Sequence, residues 1–408
     1  MQPTNQTKVI VLGGGYAGTL AALRLAGKTN QQSVEVILVN GHDHFVERIR
    51  HHQLAAGQPA KKLPFVRLLA GSKVRFVQGW CTQIDTTAKQ IVLQTLDGAN
   101  ALPYDNLIYA LGSSTDQSRI PGIKEHAHSL TDEAAVHRLQ EQAQSLSNHQ
   151  GRLLIIGGGL TGIEAATELA ESYPGLQVTL ATKGQLGATL SPAGAAHVRH
   201  VFARLGITVE EETSIERLTA NAAYCPDGRV LPFDACLWVG AFAVPKLATA
   251  SGLLVDSSGR VLVDETLRVI NQPAIYAAGD VAATGLRMAC ATAMPMGAYV
   301  ADHLAAQLQG KPAPTPFGFS YLIQCISLGR HDGLVQTVRA DDAPKPQIIT
   351  GWAASRIKEL ICSFTIWSLY IEKRWPGTYR WLRAELPATR RQQESRKQVP
   401  YGQTAPNL

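Results

Sequence analysis

Short runs of branched apolar residues alternate along this chain with longer stretches whose apolar positions recur at helical spacing. The runs at 8–12, 34–39, 74–77, 90–95 and 104–112 predict strands, as do those at 152–156, 177–181, 207–210 and 235–240. Further strands are expected at 261–266 and 273–280, and at 321–328 and 333–338, the last two joined as a hairpin across Gly329 to Asp332. Shorter strands are expected at 215–219, 222–225 and 229–231 around Asp227-Gly228, and Asp97-Gly98 marks a hairpin turn. Helical spacing covers 19–25, 165–169, 195–205, 288–307 and 357–371. Residues 113–131 read as a linker and Lys311 to Pro316 as a proline-rich break. Wholly apolar strands, each followed by a helix, are the pattern of a parallel sheet covered on its faces, so the predicted fold class is α/β.

Two strand-to-helix joints carry the same device, spaced as G-x-G-x-x-G. The first runs through Gly13, Gly14, Gly15, Tyr16, Ala17 and Gly18; the second has Gly157, Gly159, Leu160, Thr161 and Gly162. The first glycine permits a tight turn, and the second lets a pyrophosphate approach the backbone. The third lets the helix pack on the strand, and the helix N-terminus attracts the phosphate charge. A dinucleotide site is expected at each, and the repeat predicts two Rossmann-like units. Each unit closes on an apolar strand ending in glycine, at 104–112 and 235–240, which adds Ala110, Gly112 and Gly240 to the candidate cofactor contacts. Cys81, after the strand at 74–77, is grouped with them.

The ends of the second strands bear on which nucleotide is bound. Asn40 stands where an acid usually holds the ribose hydroxyls; it keeps an acceptor without the charge. In the second unit that place is Ala181, followed by Thr182 and Lys183. A carboxylate about 4 Å from a 2'-phosphate would cost on the order of 4 kcal/mol. Its absence, with Lys183 nearby, leans toward NADP or tolerance of both nicotinamide cofactors. The run entering Gly279-Asp280 puts a carboxylate at the end of a buried strand, where it could accept hydrogen bonds from a polyol.

Four histidines (His42, His44, His51 and His52) fall close together. No suitably grouped carboxylate or cysteine joins them, so a loop beside the cofactor, with Arg48 or Arg50 near phosphate, is expected rather than a metal site. With 408 residues, 45% hydrophobic and 17% charged, the chain has room for two or three globular domains. Its net charge of +6 owes much to a basic tail. That tail suits an anionic membrane surface or solvation, and no recognition motif argues for nucleic acid. Six scattered cysteines lack C-x-x-C spacing. The polar start without a basic leader region predicts a cytoplasmic protein.

The two fingerprints, the strand at 104–112 and the strand ending in Gly279-Asp280, in this order, resemble the two-dinucleotide-binding flavoprotein family. That family includes the pyridine nucleotide-disulfide reductases, type II NADH:quinone dehydrogenases, ferredoxin reductases and apoptosis-inducing-factor-like relatives. The resemblance implies FAD at Gly13–Gly18 with Asn40 at its ribose, and Gly279-Asp280 at its ribityl chain. NAD(P)H would lie at Gly157–Gly162, with Glu164 as the catalytic acid near the flavin–nicotinamide contact. It implies an FAD domain of residues 8–115 and 262–312 and an NAD(P) domain of 116–261. A smaller C-terminal α+β domain of 313–385 and a polar basic tail, 386–408, would follow. The chain lacks the paired cysteines of a disulfide or sulfide:quinone reductase, although Cys290 and Cys325 could approach each other. The expected activity is therefore hydride transfer from NAD(P)H to FAD and on to a quinone or other small acceptor. A ferredoxin or rubredoxin reductase and a slowly turning redox sensor are the alternatives.

The apolar stretch Leu360 to Ile371 would span about 18 Å as a helix, against roughly 30 Å for a bilayer core. It is expected to lie in a membrane interface, with 357–381 as the peripheral contact, or to pack on the body or on a second copy in a homodimer.

Overall fold

The computed structural model describes residues 6–59 and 61–384. The predicted basic tail, 386–408, lies outside the described residues.

The chain opens with β1 (Thr7–Leu12), α1 (Tyr16–Lys28) and β2 (Val34–Asn40), followed by the single-turn helix α2 (His51–Ala55) and β3 (Val74–Gln78). A meander of β4 (Trp80–Asp85), β5 (Gln90–Thr95) and β6 (Gly98–Pro103) precedes β7 (Asn106–Tyr109). Next come α3 (Glu133–Ser147), β8 (Arg152–Ile156), α4 (Leu160–Ser172), β9 (Gln177–Ala181) and α5 (Pro192–Arg204). β10 (Thr208–Glu210), β11 (Ala235–Trp238), β12 (Gln272–Ala277) and the long α6 (Cys290–Leu308) follow. The chain then forms β13 (Ile323–Ser327), β14 (Gly333–Val338), β15 (Pro344–Thr350) and α7 (Gly351–Arg374).

These elements build two parallel sheets. The first runs β12-β7-β1-β2-β3, with the short strand Arg268–Val269 added antiparallel at the β12 edge. The second runs β10-β9-β8-β11, and every pair in it is parallel. Val9 to Leu12, Ile37 to Val39 and Leu107 to Tyr109 are essentially inaccessible to solvent: α1 packs on the first sheet, and Ile84, Ile91 and Leu93 of the β4-β5-β6 meander join the same core. The three-stranded β13-β14-β15 sheet and α7 pack against both cores. Leu369 and Val338 join the first; Ile326 and Leu334 join the second.

Several expectations change. The stretch 113–131 is more than a linker: Ser114–Thr115 pairs antiparallel with Phe242–Ala243, and Ile123–His126 forms a helical turn. α3 was not expected from its pattern, because its buried stripe includes the small residues Ala135 and Ala143; Asp132 caps it by accepting from the Ala135 amide. The strand predicted at 261–266 is reduced to isolated bridges. Asp264 accepts from the amides of Thr266 and Arg268 and turns the chain there. The strand expected at 215–219 shrinks to Arg217–Leu218. The C-terminal hairpin gains an edge strand, β15, hidden in the sequence by Pro344 and Pro346. α7 spans 24 residues rather than the apolar core of that stretch. Its length, about 36 Å, would reach across a bilayer, but no described helix is long and apolar enough to cross one. What excludes a crossing is the charge on α7, where Arg356, Lys358, Glu359, Glu372, Lys373 and Arg374 all lie.

Candidate functional site

Both fingerprint turns have the same construction, down to individual clashes. Gly13 (φ 111°) and Gly157 (φ 128°) occupy left-handed backbone that other residues avoid. A Cβ on Gly13 would overlap the Ala110 carbonyl, and one on Gly157 would come within 2.9 Å of Gly240 Cα. Ala110 and Gly240 are thus the partners of the two turns, each just past the closing strand of its unit. A Cβ on Gly18 or Gly162 would overlap the carbonyl of Gly13 or Gly157, which is how closely each helix sits on its strand.

At Gly15 and Gly159, by contrast, nothing lies within 4 Å of an added Cβ. Both are N-cap residues, and neither α1 nor α4 has a side-chain cap or an acidic residue in its first turn. α3 and α5 are capped, by Asp132 and Ser191. Two helix N-termini left open to solvent-sized space, with their amides and positive dipole ends uncompensated, fit a diphosphate at each. Tyr16 and Ala17 lie in the first turn of α1, and Leu160 and Thr161 in that of α4. Among the described residues, the buried Tyr16 hydroxyl has no hydrogen-bond partner.

Around the first turn, Arg48, Gly112, Ser113 and Asp280 come together. Arg48 Nη1 donates to the Ser113 carbonyl at 2.5 Å and lies 3.8 Å from where a Gly112 Cβ would stand, and Ser113 Oγ donates to Asp280 Oδ2 at 2.6 Å. Burial pulls the Arg48 guanidinium below its usual range, against the opposing pull of Asp280. Of the two arginines proposed near phosphate, Arg48 is the one beside this cluster. Arg50 is a correction: its guanidinium is held by Glu359 (2.7 and 3.0 Å) and Glu47 (3.1 Å).

Asn40 also differs from expectation. Its Oδ1 accepts from the Gly14 amide at 2.9 Å, and its Nδ2 donates to the His42 carbonyl at 2.9 Å. The amide braces the turn itself. The Cys81 thiol packs on the first core and donates to the Gln83 carbonyl at 3.4 Å, so its neighbour Trp80 is the side chain presented outward. The four histidines go separate ways. His44 bridges Asp43 and Glu133, His51 donates to the Leu130 carbonyl, His52 bonds Ser327 and His42 lies against Trp80. Lys183 is exposed at the mouth of the second unit, just past β9.

Glu164, in the second turn of α4, is buried, and its partners were not visible in the sequence. Oε1 accepts from Lys358 Nζ at 3.0 Å and from the Ser327 amide at 3.1 Å. Lys358 belongs to α7, almost two hundred residues away, and also donates to the Cys325 carbonyl at 3.3 Å. Burial alone would raise the Glu164 carboxyl, but Lys358 holds it below the usual carboxylate range. Burial likewise opposes the Lys358 charge, and Glu164 more than offsets it, so that the ammonium is held firmly protonated. His52, 4.0 Å from Glu164, is pushed down to about 4 by burial and is neutral at pH 7, so it adds no third charge. A helical register around Lys358 facing the core was the one sequence signal that could have found it.

Cys290 begins α6, and Cys325 lies on β13. All six cysteines of the described residues are free. Burial pushes the Cys290 thiol up to about 11 and Cys362 up to about 12, and raises Cys325 as well. They are protonated thiols, poorly suited to nucleophilic sulfur chemistry.

The model of the pyridine nucleotide-disulphide oxidoreductase family matches residues 7–301. The chain belongs to this family. It is an FAD-dependent oxidoreductase that uses NAD(P)H, with the two Rossmann-like units described above. An NADH dehydrogenase-like protein of Mycobacterium tuberculosis is 26% identical over 336 residues, covering 75% of this chain and 82% of that one. The demethylphylloquinone reductase of Synechocystis is 28% identical over 350 residues, covering 80% and 86%. In fold, the chain is similar to the sulfide:quinone oxidoreductase of Aquifex aeolicus. The TM-score is 0.79 at 19% identity, covering 93% of this chain and 97% of that one.

Proposed function

We propose that this oxidoreductase passes electrons from NAD(P)H to a quinone, with FAD held at the first fingerprint and the nicotinamide cofactor at the second. What supports the acceptor is the likeness in sequence to a relative of 28% identity that is named as reducing a quinone. Beside it, burial holds Cys290, Cys325 and Cys362 toward the thiol form, away from the thiolate that sulfur exchange uses.

FAD, when bound, supplies the two-electron chemistry. The chain's own residues do the rest. The open N-termini of α1 and α4 bind diphosphates, and Arg48 places a second positive charge beside Asp280. Asp280, oriented by Ser113, accepts hydrogen bonds from a polyol. Glu164 fixes the Lys358 ammonium in a junction where water is scarce, which keeps a proton-bearing group at the meeting point of α4, β13 and α7. Glu164 therefore acts through Lys358 in this reading, as a positioning group. Lys183 is assigned to a 2'-phosphate, with both nicotinamide cofactors accepted.

Anaerobic stopped-flow tests the acceptor. Enzyme reduced with NAD(P)H should be reoxidised by a soluble naphthoquinone far faster than by an iron–sulfur protein or by sulfane sulfur. Preference for the iron–sulfur protein would turn the assignment to a ferredoxin- or rubredoxin-type reductase. No reoxidation by any of them would leave a redox sensor.

One surface favours a second element of this reading. Leu360, Phe364 and Trp367 are exposed at helical spacing on α7, with Trp352 and Trp375 exposed near its ends. Arg356 lies over Trp352, Lys373 over Tyr370 and Arg374 over Trp375, each within 5.6 Å of the ring centre. An apolar stripe flanked by aromatic–cation pairs suits the interface of an anionic membrane, where a lipophilic quinone would be met.

A further inference from the structure

The end of the first sheet carries an exposed tryptophan with no partner in the core. Trp80 is 60% exposed, one residue past the Gly79 amide that donates to the Asn40 carbonyl at 2.9 Å. Its ring lies over Gly41, where any Cβ would overlap the indole, and Gln78 donates to the Gly41 carbonyl at 3.2 Å. The imidazole of His42 lies nearly perpendicular to the indole, 5.3 Å between centroids at 78°. A large aromatic surface has been fixed in place at the protein's edge, at the expense of side chains at Gly41.

The direction of a bound dinucleotide is set by the sheet. Its diphosphate belongs at the N-terminus of α1 and its ribose at the carboxyl end of β2. The next position outward is the carboxyl end of β3, the neighbour of β2 at the sheet edge, and that end is Gln78-Gly79-Trp80. A base continuing along this line meets the indole. Resting on the FAD reading above, we propose that Trp80, with His42 perpendicular beside it, forms the wall of the adenine subsite. It supplies by stacking the hold that a carboxylate at the ribose supplies elsewhere. Asn40 does not replace that hold with charge, because its amide braces Gly14 and His42.

The test is titration of the full-length apoprotein with FAD and, separately, FMN, which shares the flavin and lacks the adenosine. Trp80→Ala should raise the Kd for FAD about tenfold, within the range of a base–aromatic stack, and leave the Kd for FMN unchanged. Trp80→Phe should retain most of the FAD affinity, which controls for misfolding. In the wild type, FAD and ADP should each quench tryptophan fluorescence, and this quenching should be reduced in Trp80→Phe. Unchanged FAD affinity in Trp80→Ala, or equal weakening of FAD and FMN, overturns the assignment while leaving the flavin reading intact. Wild-type apoprotein that takes up neither FAD nor FMN overturns both.

Discussion

Lys358, on the last helix, donates to Glu164 of the second fingerprint helix at 3.0 Å, with both side chains almost wholly out of solvent. This contact helps tie the C-terminal sheet and helix to the second Rossmann-like unit. Removing one member leaves the other charged and buried, which costs about 3–5 kcal/mol. Lys358→Met and Glu164→Gln should each lower the urea midpoint strongly, and the double variant should recover much of the loss. Because Lys358 holds the Glu164 carboxyl below its ordinary value, this contribution is present above the unfolded pKa and lost as pH falls through the folded one. Denaturation curves taken from pH 7 down through the acid range below pH 4 check both statements; additive single losses would remove the coupling.

Glu168, one turn further along α4, has the opposite sign. Its side chain is fully buried, with Oε1 3.2 Å from Arg330 and Oε2 without a partner among the described residues. Burial pushes its carboxyl up to about 7, only partly opposed by Arg330, with Glu164 and Glu171 adding to the rise. The fold prefers the protonated form, so this contribution is complete below the unfolded value of 4.5 and is lost as pH rises through about 7. Between pH 5 and pH 8 the wild type should lose on the order of 3 kcal/mol relative to Glu168→Gln. Equal pH profiles for the two proteins would contradict the buried titration.

The two tight helix–strand contacts offer a test of which turn holds which cofactor. A Cβ at Gly18 or Gly162 overlaps a carbonyl of its own turn, so either must open to admit alanine. Gly162→Ala should keep the yellow colour of bound FAD while raising the KM for NAD(P)H at least tenfold. Gly18→Ala should instead purify with little flavin. Spectra of the purified proteins and steady-state kinetics read the difference; the reverse pattern would exchange the sites.

Lys183 is exposed past the end of β9, with no acidic residue between it and the mouth of the second turn in the sequence 181–184. Lys183→Ala should raise the KM for NADPH about tenfold, the size of one charge-assisted hydrogen bond, and change that for NADH less than twofold. An equal effect on both would discard the 2'-phosphate role.

The exposed face of α7 gives a prediction independent of the chemistry. Leu360→Glu with Trp367→Glu should abolish flotation with vesicles containing anionic lipid and leave the reduction of a water-soluble quinone unchanged. If the wild type does not float and the double variant instead changes from dimer to monomer by sedimentation, the stripe is a contact between copies.

The paired fingerprints were legible because their constraints are local. Gly13, Gly15 and Gly18 answer to a turn and a helix start within a few residues, and the same holds for Gly157, Gly159 and Gly162. Arg48 and Arg50 could not be told apart in the same way. Two residues apart on one helical turn, they face different neighbours, and only the positions of Ser113 and Glu359 separate them. α3 and β15 went unseen because small residues and prolines mask their periods.

Local pattern and spacing by themselves determined that this chain repeats a βαβ dinucleotide unit, because strand, turn and helix propensities act over neighbouring residues. The tertiary structure decided which side chains meet. It joined Lys358 to Glu164, committed the Asn40 amide to Gly14 and His42, and left the Trp80 ring exposed over Gly41. Contacts between residues far apart in the chain depend on how layers pack, and packing is a property of the whole core rather than of any one stretch.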